Sequence, residues 1–476
     1  MTCMKRTIMM TLVAVLALRA WGARPVPSPS LAARLAAEED VIGLVHWGVN
    51  TYTDSEWGRG DEDPAILNPS AFDADQIVKA CKAGGLKGLV VVAKHHDGLC
   101  LWPSKTTEHT IAKSPFRGGK GDYVREMADA CRRAGLKFGV YVSPWDRNNA
   151  QYARPEYVKV YHSQVKELLS GGYGPVFEMW FDGANGGEGY YGGAREKRTI
   201  GADYYKFAEV FAFVRALQPG ICIFAGEDDN SEFRWPGNEM GILGEDSRAT
   251  IDETGGYVAG VFGNAQHPLH RNSGLAAGTR FRMCEADFPL RDGWFYHESE
   301  RGHTKSSGYL MKLYLSSVGN GGTMNIGIAP NKAGRLDDED VVALRDFAEV
   351  KRRFFANEVT ENGRPFNVVL MREDLAKGEQ VDEWEFLADG KRVLQGKSIG
   401  YKRIRTLAKP IAPGKCELRI LADGGDLQGV SFKRYFVRPE LLSAVVNATT
   451  ESGETETVKY IFGSENSGSI NKTRKP

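Results

Sequence analysis

Asp182 ends the apolar run Val176-Phe177-Glu178-Met179-Trp180-Phe181, and the chain then turns on Gly183 and Gly186. A carboxylate is disfavoured in a buried strand unless something there uses or satisfies it. Three more apolar runs exit into polar clusters: Val41-Ile42-Gly43-Leu44-Val45 into His46, 86–94 into His95-His96-Asp97, and 136–143 into Trp145-Asp146-Arg147. In a barrel of parallel strands, side chains at the carboxyl ends meet at one mouth. One such exit is ordinary loop capping. Four at equivalent positions point to a site. A carboxylate that attacks, with a second carboxyl held protonated nearby, can cleave a glycosidic bond; retention of configuration needs the two roughly 5 to 5.5 Å apart.

Asp182 suits the attacking role. The candidates for the protonated role are Glu227, Asp228, Asp229, Glu232, Glu239 and Glu285. Glu239 lies in the tight turn Phe233-Arg234-Trp235-Pro236-Gly237-Asn238-Glu239, where apolar neighbours raise a carboxyl pKa by desolvation. Residues 227–229 form a solvated acidic run. Spacing alone leaves the choice open. A metal hydrolase built on His46, His95, His96 and Asp182 is the competing chemistry. The usual HxH spacing is absent, and adjacent histidines on a strand point to opposite faces unless the strand bends at its exit.

These residues need a frame. Asp73 and Asp122 each open a helical pattern, closed by Gly84-Gly85 and by Gly135, and Gly-Leu-Lys leads into the next strand both times. Further units have helices over 156–169 and 203–217, and strands at 221–225, 241–243, 281–288 and 323–328. About eight strands before residue 330 suit an irregular (β/α)8 barrel over 24–355, closed by a helix over 337–355. From Phe366 the period becomes two, with Ala-Asp-Gly turns at 388–390 and 422–424, which predicts a β-sandwich over 356–463. The polar tail 464–476 reads as disordered.

Composition narrows the partners. Lys plus Arg equals Asp plus Glu, 61 each, so no global field attracts nucleic acid or an anionic membrane. Fifty-five glycines and nine tryptophans suit loops that stack rings on sugars. Lys5 and Arg6, the apolar run 7–18 and small residues near 20–23 predict a signal peptide over 1–23, hence export to a periplasm or beyond the cell. The apolar run is too short for a transmembrane anchor. The cysteines are scattered, with no CxxC pair, which predicts no disulfide and no zinc site.

Several phrases resemble the α-L-fucosidases of glycoside hydrolase family 29: Val45-His46-Trp47-Gly48, Glu56-Trp57-Gly58, Ala93-Lys94-His95-His96-Asp97-Gly98, Leu101-Trp102-Pro103-Ser104-Lys105, Tyr141 to Asn148, Trp180-Phe181-Asp182-Gly183 and Gly293-Trp294-Phe295-Tyr296-His297. The resemblance implies exo-cleavage of terminal α-L-fucose with retention, without metal or other cofactor. It assigns Asp182 as nucleophile and implies that His46, Glu56, Trp57, His95, His96, Tyr141, Trp180 and Arg234 line the pocket, closed by Trp294. The Arg234-Trp235-x-Gly237-Asn238-Glu239 phrase looks most like the α-1,3/1,4-specific subgroup, in which the last glutamate is the acid/base. That selects Glu239 and implies branched, Lewis-type or glycoprotein-borne fucosylated glycans as partners. Pro236 and the insertion 186–193 depart from the family pattern. A fucose-binding barrel without catalysis and a metal-dependent hydrolase are the rival readings.

Overall fold

The computed structural model describes residues 23–184, 186–201, 203–225, 231–251 and 268–449. The leader, Glu227, Asp228, Asp229 and the tail lie outside the described residues.

The two helix starts form as their spacing predicts. Asp73 Oδ1 accepts from Gln76 N at 2.9 Å, and Asp122 Oδ1 from Arg125 N at 2.8 Å. These caps satisfy otherwise unpaired amides at the starts of α2 (Ala74–Ala83) and α3 (Tyr123–Ala134). An earlier helix, α1 (Pro29–Ala36), precedes the first strand. Gly135 ends α3 in the left-handed region (φ 72°), which a residue without Cβ adopts freely.

Eight parallel strands close into a barrel in chain order: β1 (Val41–Val45), β2 (Gly88–Lys94), β3 (Lys137–Val142), β4 (Glu178–Phe181), β5 (Cys222–Ala225), β6 (Phe233–Arg234), β7 (Met283–Pro289) and β8 (Thr323–Ile328). β1 closes onto β8 with Val41 opposite Met324. Around the barrel run α4 (Pro155–Leu169), α5 (Phe207–Leu217), α6 (Ser307–Ser317) and α7 (Asp338–Phe354). The expected strand at 241–243 does not form. Its place is taken by two-residue β6, with Phe233 opposite Phe224 on β5 and Met283 on β7. Ladder pairing decides barrel membership, and apolarity alone does not report it. A strand this short releases the chain early, so that the segment from Trp235 to Leu243 becomes a loop.

Side chains along one strand alternate between lumen and outer layer. On β4 the lumen series is Glu178 and Trp180, continued by Asp182; on β7 it is Glu285 and Asp287. The lowest layer is ionic. Arg34 of α1 pairs with Glu178 and reaches Glu285 Oε2 at 3.4 Å, with all three side chains almost fully buried. Its guanidinium lies over Phe177 and Phe233, 5.1 and 4.6 Å from the ring centroids. α1 therefore plugs the amino-terminal end of the barrel and leaves the carboxyl-terminal end for the site.

Beyond α7 the chain forms two three-stranded antiparallel sheets. One joins β9 (Phe366–Arg372) to β12 (Arg403–Ile411) and β14 (Ser431–Tyr435); the other joins β10 (Val381–Ala388) to β11 (Lys391–Gly396) and β13 (Cys416–Asp423). Phe366, Val369, Met371, Val381, Trp384 and Phe386 fill a separate core. Helix α8 (Pro439–Val446) follows.

Candidate active site

Asp182 emerges one residue past β4, and two donors orient its carboxylate. Tyr141 Oη donates to Oδ2 at 2.9 Å, and the Ala184 amide donates to Oδ1 at 2.6 Å. Burial and the field of Asp182 push the Tyr141 phenol well above its ordinary range, so it remains a donor. Tyr141 stacks on Trp180 at 5.4 Å, and Trp180 lies face to face with Phe224 at 3.9 Å. The Trp180 indole donates to Glu285 at 3.1 Å. The nucleophile candidate thus rests, ring by ring, on the ionic layer below.

Three histidines share this floor. β2 ends at Lys94 with a register shift against β3, so His95 and His96 belong to the turn beyond it. Their rings lie 4.1 Å apart. The bend removes the strand alternation that would have separated them. Gly98 is part of the bend; its φ is +85°, and a Cβ there would collide with the Asp146 carboxylate. The Asn50 amide donates to His95 Nδ1 at 3.3 Å, which leaves Nε2 as that ring's N–H. Ser143 donates to the Trp145 carbonyl at 2.8 Å and lies 2.7 Å from His96 Nδ1. His96 therefore donates from Nδ1 and offers Nε2 as an acceptor. His46 packs 5.1 Å from Trp294 and 5.8 Å from His95. Burial lowers all three pKa values, His46 and His96 to about 4. Neutral rings hydrogen-bond hydroxyls in both directions. Among the described residues no group of three or more His, Cys, Asp or Glu has metal-holding geometry.

Glu239 stands on the loop after β6, where its Oε2 accepts the Trp294 indole N–H at 3.0 Å. Its side chain is exposed at the rim, where partial desolvation raises its pKa and the charges of Asp182 and Glu56 add to the rise. Two rival carboxyls are committed elsewhere. Glu232 takes Arg215 at 3.0 Å and the Ile223 amide at 2.8 Å. Glu285 takes Trp180, Asn325 at 2.9 Å and Arg34. Trp57 is half-exposed at the rim, edge-on to His96 at 5.2 Å.

Two implied pocket residues have other work. Arg234 is buried, and its guanidinium donates to the carbonyls of Arg271, Ala249, Arg282 and Arg248. At most one of its five N–H groups is left for a ligand. β6 places Arg234 against the backbone of residues 248, 249, 271 and 282, so that its main bonds are to carbonyls. The Glu56 carboxylate accepts the amides of Trp294 and Phe295 at 2.9 and 3.0 Å and meets His297 Nε2 at 2.8 Å. It anchors the loop that carries Trp294.

Sequence reasoning missed Asp287. It is 2% exposed, and its Oδ1 has no hydrogen-bond partner. Burial, then the charges of Glu239, Glu285 and Asp182, holds it well above the usual carboxyl range. The available signal was its spacing of two from Glu285 inside an apolar strand, which puts both acids on one face.

The alpha-L-fucosidase family model matches residues 50–350, which contain every residue of this site except His46. The chain belongs to the alpha-L-fucosidase family. Alpha-L-fucosidase 1 of Arabidopsis thaliana is 35% identical over 66% of this chain and 58% of its own length. The crystal structure of a glycoside hydrolase family 29 member from an unknown rumen bacterium superposes with a TM-score of 0.81 at 33% identity, covering 91% of this chain and 81% of that one. A Ruminococcus gnavus family 29 fucosidase solved in complex with fucose shares the fold at 23% identity, with a TM-score of 0.72 over 88% of this chain and 97% of that one. The enzyme is a glycoside hydrolase, an α-L-fucosidase with a (β/α)8-type barrel. Among the described residues no helix is long and apolar enough to cross a membrane.

Proposed function

We propose that the enzyme is an exported, exo-acting, retaining α-L-fucosidase in which Asp182 is the nucleophile and Glu239 the acid/base. One contrast carries this reading: the Asp182 carboxylate is oriented by two donors, while Glu239 is pushed toward its protonated form beside a single indole. Glu239 would protonate the departing glycosidic oxygen as Asp182 attacks the anomeric carbon. Water, deprotonated by Glu239, would then release fucose from the fucosyl-enzyme with configuration retained. His46, His95 and His96 would bind the sugar's hydroxyls, and Trp57, Trp180 and Trp294 would pack on its apolar faces. The leader sequence supports export. The subgroup phrase supports α-1,3- and α-1,4-linked fucose on branched, Lewis-type glycans.

Asp182→Ala should abolish turnover of an aryl fucoside; wild-type-like rates would refute the assignment. Glu239→Ala should slow oligosaccharides far more than aryl fucosides with good leaving groups, which need no acid. Asp287 is the specific rival, because its carboxyl, with Oδ1 unpartnered, is also pushed toward its protonated form. Azide attacks a glycosyl-enzyme without a general base, so it should restore aryl fucoside turnover in Glu239→Ala. Rescue of Asp287→Ala instead would transfer the role. A panel of α-1,2, α-1,3, α-1,4 and α-1,6 fucosylated glycans tests the linkage; a preference for α-1,2 would overturn the subgroup while leaving the family intact.

A further inference from the structure

The loop carrying Trp294 hangs on one carboxylate, and that carboxylate hangs on one histidine. Glu56 takes the backbone N–H groups of Trp294 and Phe295, and Trp294 presents its indole N–H to Glu239. His297 sits on the far side of this junction. Its Nε2 is 2.8 Å from Glu56 Oε1, and its Nδ1 is 2.7 Å from Asp54 Oδ1. A neutral imidazole has one N–H, so it would face one of these two oxygens lone pair to lone pair. Only a ring protonated on both nitrogens satisfies both contacts.

The surroundings favour that form. The charged groups facing His297 are Asp54 and Glu56, from the segment after β1, and Glu300, from the turn following His297 itself. All three are carboxylates. A Cβ built on Gly293 would lie 2.7 Å from Glu56 Oε1, 3.0 Å from His297 Cδ2 and 3.1 Å from Glu300 Oε1, so these groups crowd one backbone position. The nearby cations are engaged elsewhere: Arg291 with Asp337, Glu339 and Asp340, and Arg301 with Glu298 and Tyr296. Partial burial works against the charge, yet hydrogen bonds to Glu56 and Asp54 raise the His297 pKa above its ordinary value.

We propose that His297 is a positioning residue for proton donation: as an imidazolium bridging Asp54 and Glu56, it fixes Glu56 beneath the Trp294 loop and so fixes the indole that holds Glu239. The proposal rests on Glu239 being the acid/base. It adds that loss of the His297 proton slackens this loop, so that alkaline loss of activity on acid-dependent substrates includes His297 as well as Glu239.

The experiment compares wild type, His297→Phe, Asp54→Asn and Glu239→Ala. For each, kcat/KM is measured against pH on a fucosylated oligosaccharide and on an aryl fucoside with a good leaving group. Asp54 is largely exposed, with 62% of its side-chain surface open, so its substitution tests the bridge with little risk to folding. His297→Phe should lose about tenfold on the oligosaccharide, a fraction of the 10²–10⁴ that a general acid supplies, and a clearly smaller factor on the aryl fucoside, which needs Trp294 only against the sugar. Asp54→Asn should move the alkaline limb on the oligosaccharide down by about half a pH unit, the scale of one exposed ion pair. Equal losses on both substrates for His297→Phe, or an unmoved limb in Asp54→Asn, would overturn the proposal. If Glu239→Ala itself shows no substrate split, the acid/base assignment fails and takes this proposal with it. A split in Glu239→Ala without one in His297→Phe sinks the proposal alone.

Discussion

Replacing Arg34 with Met tests whether charge holds the floor of the barrel. One guanidinium cannot neutralise two buried carboxylates, and burial keeps Glu178 well above the usual carboxyl range, with Glu285 adding to the rise. The layer in the folded enzyme therefore carries Arg34 as a cation, with Glu178 pushed toward its protonated form. Met keeps much of the volume and removes the charge. Breaking a buried ion pair from one side costs about 3–5 kcal/mol, because the remaining charge has no partner. The folded variant can relieve that charge by binding one more proton in this layer than wild type does. Above pH ~4.3, the ordinary glutamate value, the unfolded chain lacks that additional proton, so the variant's deficit against wild type grows by about 1.4 kcal/mol per pH unit. The deficit against wild type should be largest near pH 8 and shrink towards pH 5.5. Urea titrations and thermal melts across that range measure it. Adding Glu285→Gln to Arg34→Met should recover part of the loss at pH 8. A pH-independent deficit would mean that Arg34 matters only as packing, and wild-type stability at pH 8 would refute the ionic layer.

The other predictions concern the site. Tyr141→Phe removes one donor to Asp182 and keeps the stack on Trp180; a hydrogen bond to a charged group is worth about 1.5–3 kcal/mol, so kcat/KM should fall roughly 10- to 150-fold on oligosaccharide and aryl fucoside alike. A substrate-selective loss would separate Tyr141 from the nucleophile. Arg234→Met should lower the melting temperature while leaving KM within about twofold for the enzyme that folds, since four backbone carbonyls lose their donor; a large rise in KM with normal stability would return Arg234 to the pocket. His46 and His96 are buried neutral with pKa values near 4, against about 6.5 unfolded. The unfolded chain binds more protons between those values, so their contribution is intact above pH ~6.5 and is lost as pH falls towards 4, about 3 kcal/mol for each ring. Acid-unfolding midpoints of His46→Gln and His96→Gln lower than that of wild type would bear this out, and unchanged midpoints would contradict it.

The sequence by itself determined the barrel's rhythm and most of its mouth. Asp73 and Asp122 announced helix starts through local hydrogen bonds, and apolar runs announced strands because a parallel sheet buries both faces. Asp182, His46, His95 and His96 were legible because polar residues ending apolar runs are costly unless used. What remained was decided by contacts between segments far apart in the chain. Phe233–Arg234, and not 241–243, became a barrel strand because its neighbours' ladders reach it there. Arg234, read as a sugar ligand, went to backbone carbonyls over 14 to 48 residues away. Glu56 took amides some 240 residues downstream, and Arg34 crossed under the barrel to two acids on separate strands. Asp287 showed as an unpaired acid only once the lumen closed around it. Local hydrogen bonds and periodicity are written in neighbouring residues; the satisfaction of a buried charge depends on which distant groups the fold brings to it.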